Sequence, residues 1–549
     1  MLVEFGKSNL IAKAKQQPDK VKQVIDKIKT DGIITTLNSV RSRLDEPMPL
    51  GYCNAGEVME VGEGVTEFKI GDRIVSNGPH AEYVVILKIL CAKIPDNVEY
   101  KNAAFTVLGS IGLQGVRLAQ PMIGETFVVI GLGLIGQLTV QILKANGCRV
   151  LGLDINQERV KLAEKFGVHA FNLNDIDNPV QIAMSFSNGK GVDGVLITAS
   201  TKSNEPIHQA AQMCRKKGRI ILVGVTGLNL NRADFYKKEL TFQVSCSYGP
   251  GRYDENYEMK GNDYPIGFVR WTEQRNFQTI LDLMSAGKLD VKSLITDIFD
   301  FNNSNKAYGK IISGENVLGV ILDYSNKKQE ENSIVKHKER KILKDKISEV
   351  TVGTVGAGNF AKMILYPALK HTSARLKTVA DLNPVAAVHA ARKFGFENSC
   401  TDYMTIFKDT EINTIFIATR HNFHSRLVIE GLKAGKNMYV EKPLALNKSE
   451  LQQIYEVYEA SNRKIMVGFN RRFAPQVLKM KELLKNRCEP IAITILVNSG
   501  IIPAQHWVHD PDIGGGRIIG EGCHFIDLIS FLADSLMTSV SAFALGGDR

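Results

Sequence analysis

The sequence predicts an α/β protein with two doubly wound parallel sheets in tandem. The main observation is a pattern that occurs twice, an apolar strand followed by a glycine-rich turn and a helix. It is FVVIGLGLIG at 127–136 and TVGTVGAGNFA at 351–361. Alternating strands and helices follow each copy, as in parallel sheets covered by helices on both faces. At 549 residues the chain is too long for one hydrophobic core, so three or four domains are expected.

Composition and charge exclude several classes of protein. The composition is that of an ordinary globular chain, no apolar run is long enough to span a membrane, and the N-terminus lacks the apolar core of a signal peptide. The net charge of +10 is moderate, and the clustered lysines indicate solvated surfaces rather than a nucleic-acid partner. Eight scattered cysteines without a CxxC pair indicate reduced thiols. We therefore expect a cytoplasmic protein without a membrane span.

Both glycine-rich turns have the spacing of a dinucleotide-binding, Rossmann-type unit. The small positions are Gly131, Gly133 and Gly136 in the first turn and Gly356, Gly358 and Ala361 in the second. The first glycine permits a tight bend, the second lets the backbone approach a pyrophosphate, and the third allows helix and strand to pack. The phosphates then lie at the N-terminus of the helix, where free N–H groups favour negative charge.

An acidic residue ends the next strand in each unit, Asp154 in RVLGLD and Asp381 in LKTVAD. Both lie at about the expected spacing of 20 residues after the glycines. A carboxylate there accepts hydrogen bonds from the adenosine ribose and repels the additional phosphate of NADP. The sequence therefore predicts NAD at both sites and makes NADP less favourable. A nucleotide-free sheet with two surface acids is the alternative.

Residues 47–325 resemble the medium-chain (zinc-type) alcohol dehydrogenase superfamily. The matching motifs are GEVMEVGEGVTEFKIGDRI, AAFT at 103–106, Gly124–Glu125, the GLGLIG turn, and Asp154 with Arg159. The resemblance implies a partial GroES-like β subdomain and helical N-terminal region at 1–108, and a Rossmann domain with its return segment at 109–325. Gly51-Tyr52-Cys53 stands where zinc-containing members usually have Gly-His-Glu. We therefore predict no metal and assign Cys53 to the core.

Two further segments have distinctive compositions, one within this half and one after it. Ser245 to Asn276 concentrates tyrosine and arginine and resembles part of two-part oxidoreductases that contain a medium-chain dehydrogenase half. These residue types suit an anionic sugar or nucleotide, and a purely structural loop is an equal alternative. The charged stretch at 326–348 is predicted to be a linker, with helix as one option.

The remaining chain resembles the Gfo/Idh/MocA family (glucose–fructose oxidoreductase and inositol dehydrogenase). The resemblance rests on VGAGNFA, Asp381, IFIATRHNFHSRLVIEGLKAGKNMYVEKPLA, VGFNRRFAP and GGGRIIGEGCHFIDLISFL. It implies a Rossmann domain at 349–468 and the start of a truncated α+β substrate domain at 469–549. Together the two halves resemble fused oxidoreductases associated with cell-surface polysaccharide metabolism.

By this resemblance Lys442, in Glu441-Lys442-Pro443, is the catalytic lysine. It follows a strand at the edge of the sheet where ligands bind, and its ammonium can stabilise a developing oxyanion. His524 is the expected proton acceptor. The family usually has an Asp four residues before this histidine, whereas this chain has Gly520 followed by Glu521. Either Glu521 replaces that acid or His524 works without an orienting carboxylate, and a buried structural histidine is a third alternative.

Further site residues follow from the same resemblance. Cofactor contacts are expected from Glu441 and from Thr419 and His424, which belong to a loop that also contains His421 and lines the nicotinamide side. His424 is alternatively a helix cap. Substrate contacts are expected from Arg471, Arg472 and Trp507, although a salt bridge suits the arginines equally well. Asp527 is predicted to be a surface or capping acid.

These observations predict an NAD-dependent dehydrogenase that acts on a hydroxyl group of a sugar, sugar nucleotide or cyclitol. The resemblance also allows a homo-oligomer. One alternative is a non-catalytic NAD-binding scaffold or sensor. Another is a lyase or hydrolase that uses NAD for transient oxidation.

Overall fold

The computed structural model describes residues 47–313, 317–325, 334–337, 350–498, 500, 502–503 and 506–543, together with individual positions between 21 and 45. The chain divides into two compact units. The first is Pro49–Gln329, and the second combines the described residues of 1–48 with those of 330–549. Residues 1–48 were predicted to belong to the first half, and the helical region predicted there lies mostly outside the described residues. The predicted domain bounds stay predictions.

The first unit is built around a parallel sheet of six strands. The described strands of the whole unit are β1 (Asn54–Glu57), β2 (Arg73–Ser76), β3 (Cys91–Lys93), β4 (Thr126–Ile130), β5 (Arg149–Asp154), β6 (His169–Asn172), β7 (Val192–Ile197), β8 (Cys214–Leu222), β9 (Thr241–Val244), β10 (Ile295–Asp300) and β11 (Gly319–Asp323). The large sheet has the order β6-β5-β4-β7-β8-β9. Strands β1 to β3 form a small antiparallel sheet, and β10 pairs with β11 in parallel.

Helices cover both faces of this sheet. They are α1 (Tyr100–Ala103), α2 (Thr106–Ala119), α3 (Leu134–Ala145), α4 (Gln157–Lys165), α5 (Pro179–Phe186), α6 (Glu205–Met213), α7 (Arg232–Tyr236), α8 (Glu255–Glu258), α9 (Glu273–Ser285) and α10 (Ser304–Ser313). Because side chains alternate along a strand, β4 contributes to two cores. Phe127 and Val129 belong to the core that includes α2 and α9, and Val128 and Ile130 belong to the core that includes α6.

The second unit contains a sheet of seven strands. They are β12 (Ile334–Lys336), β13 (Thr351–Val355), β14 (Arg375–Ala380), β15 (Asn398–Cys400), β16 (Thr414–Ile417), β17 (Asn437–Val440) and β18 (Ile465–Val467). Their order is β12-β15-β14-β13-β16-β17-β18, and all pairs are parallel except β12 with β15. The stretch predicted to be a charged linker thus contains a strand. Pairing with β15 stabilises it, which its own composition does not indicate.

The helices of the second unit are α11 (Tyr366–Lys370), α12 (Pro384–Phe394), α13 (Met404–Lys408), α14 (His424–Lys433), α15 (Lys448–Ala460), α16 (Pro475–Leu484) and α17 (Cys523–Ala533). Short π-helical turns at Ala361–Leu365 and Ile518–Gly522 precede α11 and α17. The prediction of an α/β fold with two tandem doubly wound sheets is confirmed. Among the described helices, none has the length and apolar character that a membrane span requires.

Helix α9 begins at a buried carboxyl group, that of Glu273. The side chain has no solvent exposure, and neither carboxyl oxygen has a hydrogen-bond partner among the described residues. Burial raises the pKa of Glu273 to about 8, the neighbouring Glu258 adds to the increase, and Arg252 opposes it. The carboxyl group therefore holds its proton in the native state at neutral pH.

This burial makes the stability of the first unit depend on pH. The unfolded chain releases the proton near pH 4.5, whereas the native state keeps it up to about pH 8, so the free energy of unfolding falls as the pH rises through that interval. We expect Glu273→Gln to be more stable than the wild type at pH 8 by roughly 2 to 4 kcal/mol and similar to it at pH 5. Urea denaturation followed by Trp271 fluorescence in a Trp507→Phe background measures this. The exposed Glu255→Gln is the control, and equal stabilities at pH 8 would contradict the expectation.

Candidate active site

The first glycine of each nucleotide turn is required by the backbone. Gly131 has φ +96° and Gly356 has φ +100°, which other residues rarely adopt. A Cβ atom at Gly131 would lie 2.6 Å from the amide nitrogen of Ala199, and one at Gly356 would lie 2.6 Å from the carbonyl oxygen of Ala418. Both turns therefore lie in close contact with the residues that follow the neighbouring strand.

The second glycine of each turn is not required by contacts within the protein. A Cβ atom at Gly133 or Gly358 would meet no atom within 4 Å, so the packing of the described chain does not require glycine at either position. The open space at Gly133 lies at the N-cap of α3, where helix amides favour an anion. This geometry fits the pyrophosphate of a dinucleotide. At the third position, a Cβ at Gly136 would lie 2.0 Å from the carbonyl of Gly131, whereas Ala361 is accommodated in the core.

The two predicted ribose-binding acids stabilise the turns in the same way. One carboxylate oxygen of Asp154 accepts the amide N–H of Leu132 at 2.5 Å, and one oxygen of Asp381 accepts the amide N–H of Ala357 at 2.7 Å. The other oxygen of each accepts the amide N–H two residues further on, at 2.8 Å in both. Each acid therefore lies against the turn that would hold the cofactor, and its contact with the ribose stays a prediction.

The side chains around Cys53 do not fit a zinc ion. The Cys53 side chain packs against the hydrophobic core of the first unit, and burial raises the pKa of its thiol to about 12. His80 directs Nδ1 at the hydroxyl of Tyr308, 2.7 Å away. Within the described chain, no three His, Cys, Asp or Glu side chains are grouped as metal ligands. We derive no chemistry through zinc, and the predicted absence of zinc stays a prediction.

Two of the three arginines of the segment Ser245 to Asn276 have ion-pair partners within it. Arg252 forms an ion pair with Glu258, and Arg275 forms one with Asp263. The backbone amide of Tyr253 also donates to Glu258, at 2.9 Å. These contacts favour the structural interpretation of this segment over a site for an anionic sugar.

The candidate active site of the second unit is centred on Lys442, directly after β17. Its Nζ donates a hydrogen bond to the carbonyl oxygen of Gly520, 2.5 Å away. Gly520 lies in the π-helical turn that leads into α17. Lys442 forms no ion pair within the part of the chain that the structure describes, so a carbonyl oxygen is the observed partner of its ammonium group.

His524, the second residue of α17, lies within the electrostatic influence of Lys442. Burial lowers its pKa to about 4, and the charges of Lys442 and Arg471 contribute to the decrease. Its Nδ1 atom is buried and has no hydrogen-bond partner among the described residues. The ring is in edge contact with Phe469, at a centroid distance of 6.2 Å. The structure thus brings together a cationic donor and a neutral imidazole.

Glu521 does not replace the acid that the family usually has before this histidine. Its carboxylate accepts a hydrogen bond from Nε of Arg517 at 3.1 Å, one turn earlier in the same helical segment. It makes no hydrogen bond with His524, whose Nδ1 remains unpaired among the described residues. Of the two alternatives for the base, the structure favours His524 without an orienting carboxylate.

The predicted substrate-binding residues have different environments. Arg472 forms a bidentate ion pair with Asp527, whose side chain is 7% exposed. The salt-bridge alternative therefore applies to Arg472. The prediction of Asp527 as a surface or capping acid is wrong, because α17 carries it inward to this arginine. The guanidinium of Arg471 lies 4.5 Å from the centroid of the Phe525 ring.

His424 has structural contacts within the second unit, and its contact with the cofactor stays a prediction. The side chain is fully buried, with Nδ1 2.7 Å from the carbonyl oxygen of Pro443 and Nε2 3.3 Å from that of Thr419. These contacts place the ring between the end of β16 and the turn that carries Lys442. Because burial lowers the pKa of His424 to about 4, the neutral ring has one N–H and donates to one of the two carbonyl oxygens. Glu441 is also buried and accepts the hydroxyl hydrogen of Tyr439 at 2.7 Å.

His421, which the sequence indicates only as part of a loop, lies close to Lys442 and Gly520. Nδ1 of His421 lies 2.9 Å from the carbonyl oxygen of Gly514, and its ring is in edge contact with Trp507, at a centroid distance of 4.8 Å. The sequence could have indicated this role, because His421 follows β16 closely and ligands bind at the carboxyl ends of parallel strands.

Comparisons with known proteins agree with this architecture. Family models match the alcohol dehydrogenase GroES-like domain at 24–115, zinc-binding dehydrogenase at 135–260, and the Gfo/Idh/MocA oxidoreductase family, NAD-binding Rossmann fold, at 350–469. The chain is 30% identical over 269 residues to D-guloside 3-dehydrogenase of Escherichia coli (strain K12), covering 47% of this chain and 72% of that protein. The chain belongs to the medium-chain dehydrogenase family, and its residues 350–469 match the Gfo/Idh/MocA oxidoreductase family. The predicted resemblance of each half is thereby confirmed.

Other relatives are also dehydrogenases or reductases. Levoglucosan dehydrogenase of Pseudarthrobacter phenanthrenivorans is 34% identical over 167 residues, covering 28% of this chain and 42% of that protein. Probable D-xylulose reductase A of Aspergillus clavatus is 24% identical, covering 50% of this chain and 80% of that protein. This dehydrogenase therefore contains NAD(P)-binding Rossmann domains.

The second glycines allow the two nucleotide sites of this dehydrogenase to be tested separately. We expect Gly133→Ala and Gly358→Ala each to weaken NAD binding at one site about tenfold or more, because the new methyl group occupies the space of the pyrophosphate. Thermal stability should change little, because each Cβ meets no described atom within 4 Å. Isothermal titration calorimetry measures the affinities. Gly356→Ala is the contrasting variant and should destabilise the fold, and an unchanged NAD affinity in either test variant would contradict the assignment of that site.

Proposed function

We propose that the chain is an NAD-dependent oxidoreductase that transfers hydride between nicotinamide and a hydroxyl group of a sugar, sugar nucleotide or cyclitol. The main support is the contact of Lys442 with Gly520, which holds a cationic donor beside the neutral imidazole of His524. Lys442 and His524 lie in the second unit, which also contains the glycine-rich turn at 356–361. The names of the relatives, which include guloside and levoglucosan dehydrogenases, support a carbohydrate substrate.

Lys442 would bind and polarise the reacting hydroxyl group. Its ammonium already donates to a carbonyl oxygen, so a substrate oxygen can take a comparable position. The positive charge stabilises the negative charge that develops on oxygen as the proton leaves.

His524 would accept the hydroxyl proton. Its lowered pKa keeps the ring unprotonated at neutral pH, as a general base requires. NAD, when bound, supplies the hydride acceptor, and the turn at Gly356, Gly358 and Ala361 with Asp381 would hold it. The carboxylates of Asp381 and Asp154 favour NAD over NADP at the two turns.

The proposal also covers the first half of the chain, the location of the protein, its oligomeric state and its metabolic role. The first half would bind a second NAD, and we assign it no catalytic step because its side chains do not fit zinc. A cytoplasmic location follows from composition, whereas homo-oligomerisation and a role in cell-surface polysaccharide metabolism follow from family resemblance.

The main test of this proposal is Lys442→Ala. The wild type is tested for NADH formation from NAD with sorbitol, levoglucosan, myo-inositol, D-glucuronate and UDP-glucose. We expect at least one of these compounds to be oxidised. In the variant kcat/KM should fall by about 10²- to 10³-fold, because the developing oxyanion loses its cation. The affinity for NAD should stay the same. The exposed Lys433→Ala is the matched control.

Other outcomes would redirect the assignment. Full activity in Lys442→Ala would move the chemistry to the first half. Product formation without net NADH would favour transient oxidation, and NAD binding without any turnover would favour a scaffold or sensor.

The pH dependence tests the proposed base. Protonation of His524 abolishes its ability to accept a proton, and its pKa of about 4 places the acid limb of kcat/KM well below neutral pH. We expect Arg471→Gln to move this limb to higher pH, because the charge of Arg471 helps to keep the pKa of His524 low. Initial rates between pH 4 and 8 measure the shift. A limb that does not move in Arg471→Gln would argue against His524 as the base.

A further inference from the structure

A second histidine, His421, lies beside the Lys442–Gly520 contact. Its Nδ1 is 2.9 Å from the carbonyl oxygen of Gly514. A carbonyl oxygen only accepts hydrogen bonds, so Nδ1 carries the hydrogen in this contact. Burial lowers the pKa of His421, and the charge of Lys442 contributes to the decrease. The neutral ring therefore has its lone pair on Nε2.

The free Nε2 atom makes His421 more than a packing residue. Within the described residues, Nε2 has no hydrogen-bond partner, and it is not among the fully enclosed unpaired atoms, unlike Nδ1 of His524. Its neighbour Cε1 would lie 3.1 Å from a Cβ atom built at Gly520, the residue whose carbonyl binds Lys442. A hydrogen-bond acceptor is thus available next to the proposed reacting group.

The orientation of this ring is set by its surroundings. The ring is 7% exposed and in edge contact with Trp507, with an interplanar angle of 77°. The amide N–H of Asn422 donates to the carbonyl oxygen of Ile513 at 3.2 Å, which attaches the His421 turn to the same segment as Gly514. An acceptor fixed in this way discriminates between ligands, because a ligand without a matching donor leaves it unpaired.

We propose that Nε2 of His421 accepts a hydrogen bond from a second substrate hydroxyl, adjacent to the hydroxyl that reacts between Lys442 and His524. The inference rests on the proposed function and names its substrate class as vicinal diols. Lys442 is only a donor, and His524 is assigned to the reacting hydroxyl, so the adjacent hydroxyl needs an acceptor of its own. A simple alcohol would leave Nε2 without a partner.

The test compares trans-1,2-cyclohexanediol with cyclohexanol, which differ by one hydroxyl group. In the wild type we expect kcat/KM for NADH formation to favour the diol by about 10- to 100-fold. In His421→Phe, which keeps an aromatic ring beside Trp507, the ratio should fall to near 1, mainly through a higher KM for the diol. His421→Gln, whose amide oxygen is an acceptor, should restore part of the preference. The exposed His371→Phe is the control.

A binding measurement keeps this test separate from the proposed reaction. The dissociation constants of both compounds from the NADH complex are measured by Trp507 fluorescence in a Trp271→Phe background. Tighter binding of the diol that disappears in His421→Phe supports the role of His421, even if neither compound is oxidised and the proposed reaction fails for them. Equal binding of the two compounds by the wild type, or a diol preference that survives in His421→Phe, would overturn it.

Discussion

The hydrogen bond from Lys442 to the carbonyl oxygen of Gly520 is the contact on which the candidate active site depends. Lys442 leaves the sheet at the end of β17, whereas Gly520 belongs to the π-helical turn before α17. Turns of this kind interrupt the regular helical pattern and are frequent at functional sites. Because His524 follows this turn directly, the bond also determines how close the proposed base lies to the proposed donor.

The electrostatics of the site follow from the absence of a carboxylate partner for Lys442 among the described residues. Glu521 pairs with Arg517 and Asp527 pairs with Arg472, so neither acid neutralises the lysine. Burial, reinforced by the lysine charge, then keeps the nearby histidine rings neutral. A cationic donor beside neutral histidine rings suits the removal of a proton from an uncharged alcohol.

The two halves have the same nucleotide geometry but different side-chain chemistry. In both, an acid at the end of the second sheet strand accepts an amide hydrogen of the turn, and the second glycine faces open space. The first half combines this turn with a protonated thiol at Cys53, and the second combines it with Lys442 and His524. The shared fold therefore accounts for cofactor binding, and the chemistry depends on the side chains added to it.

The sequence predicted the two sheets and proposed Lys442 and His524 as site residues, because glycine spacing, strand periodicity and short motifs are local features. It did not predict β12, since that strand depends on pairing with the distant β15. Nor did it predict the partners of Glu521 and Arg472 or the position of His421. Each of these contacts depends on where α17 and the segment around Gly514 pack against the edge of the sheet. They are visible only in the folded chain, because no local sequence pattern encodes a contact between residues so far apart.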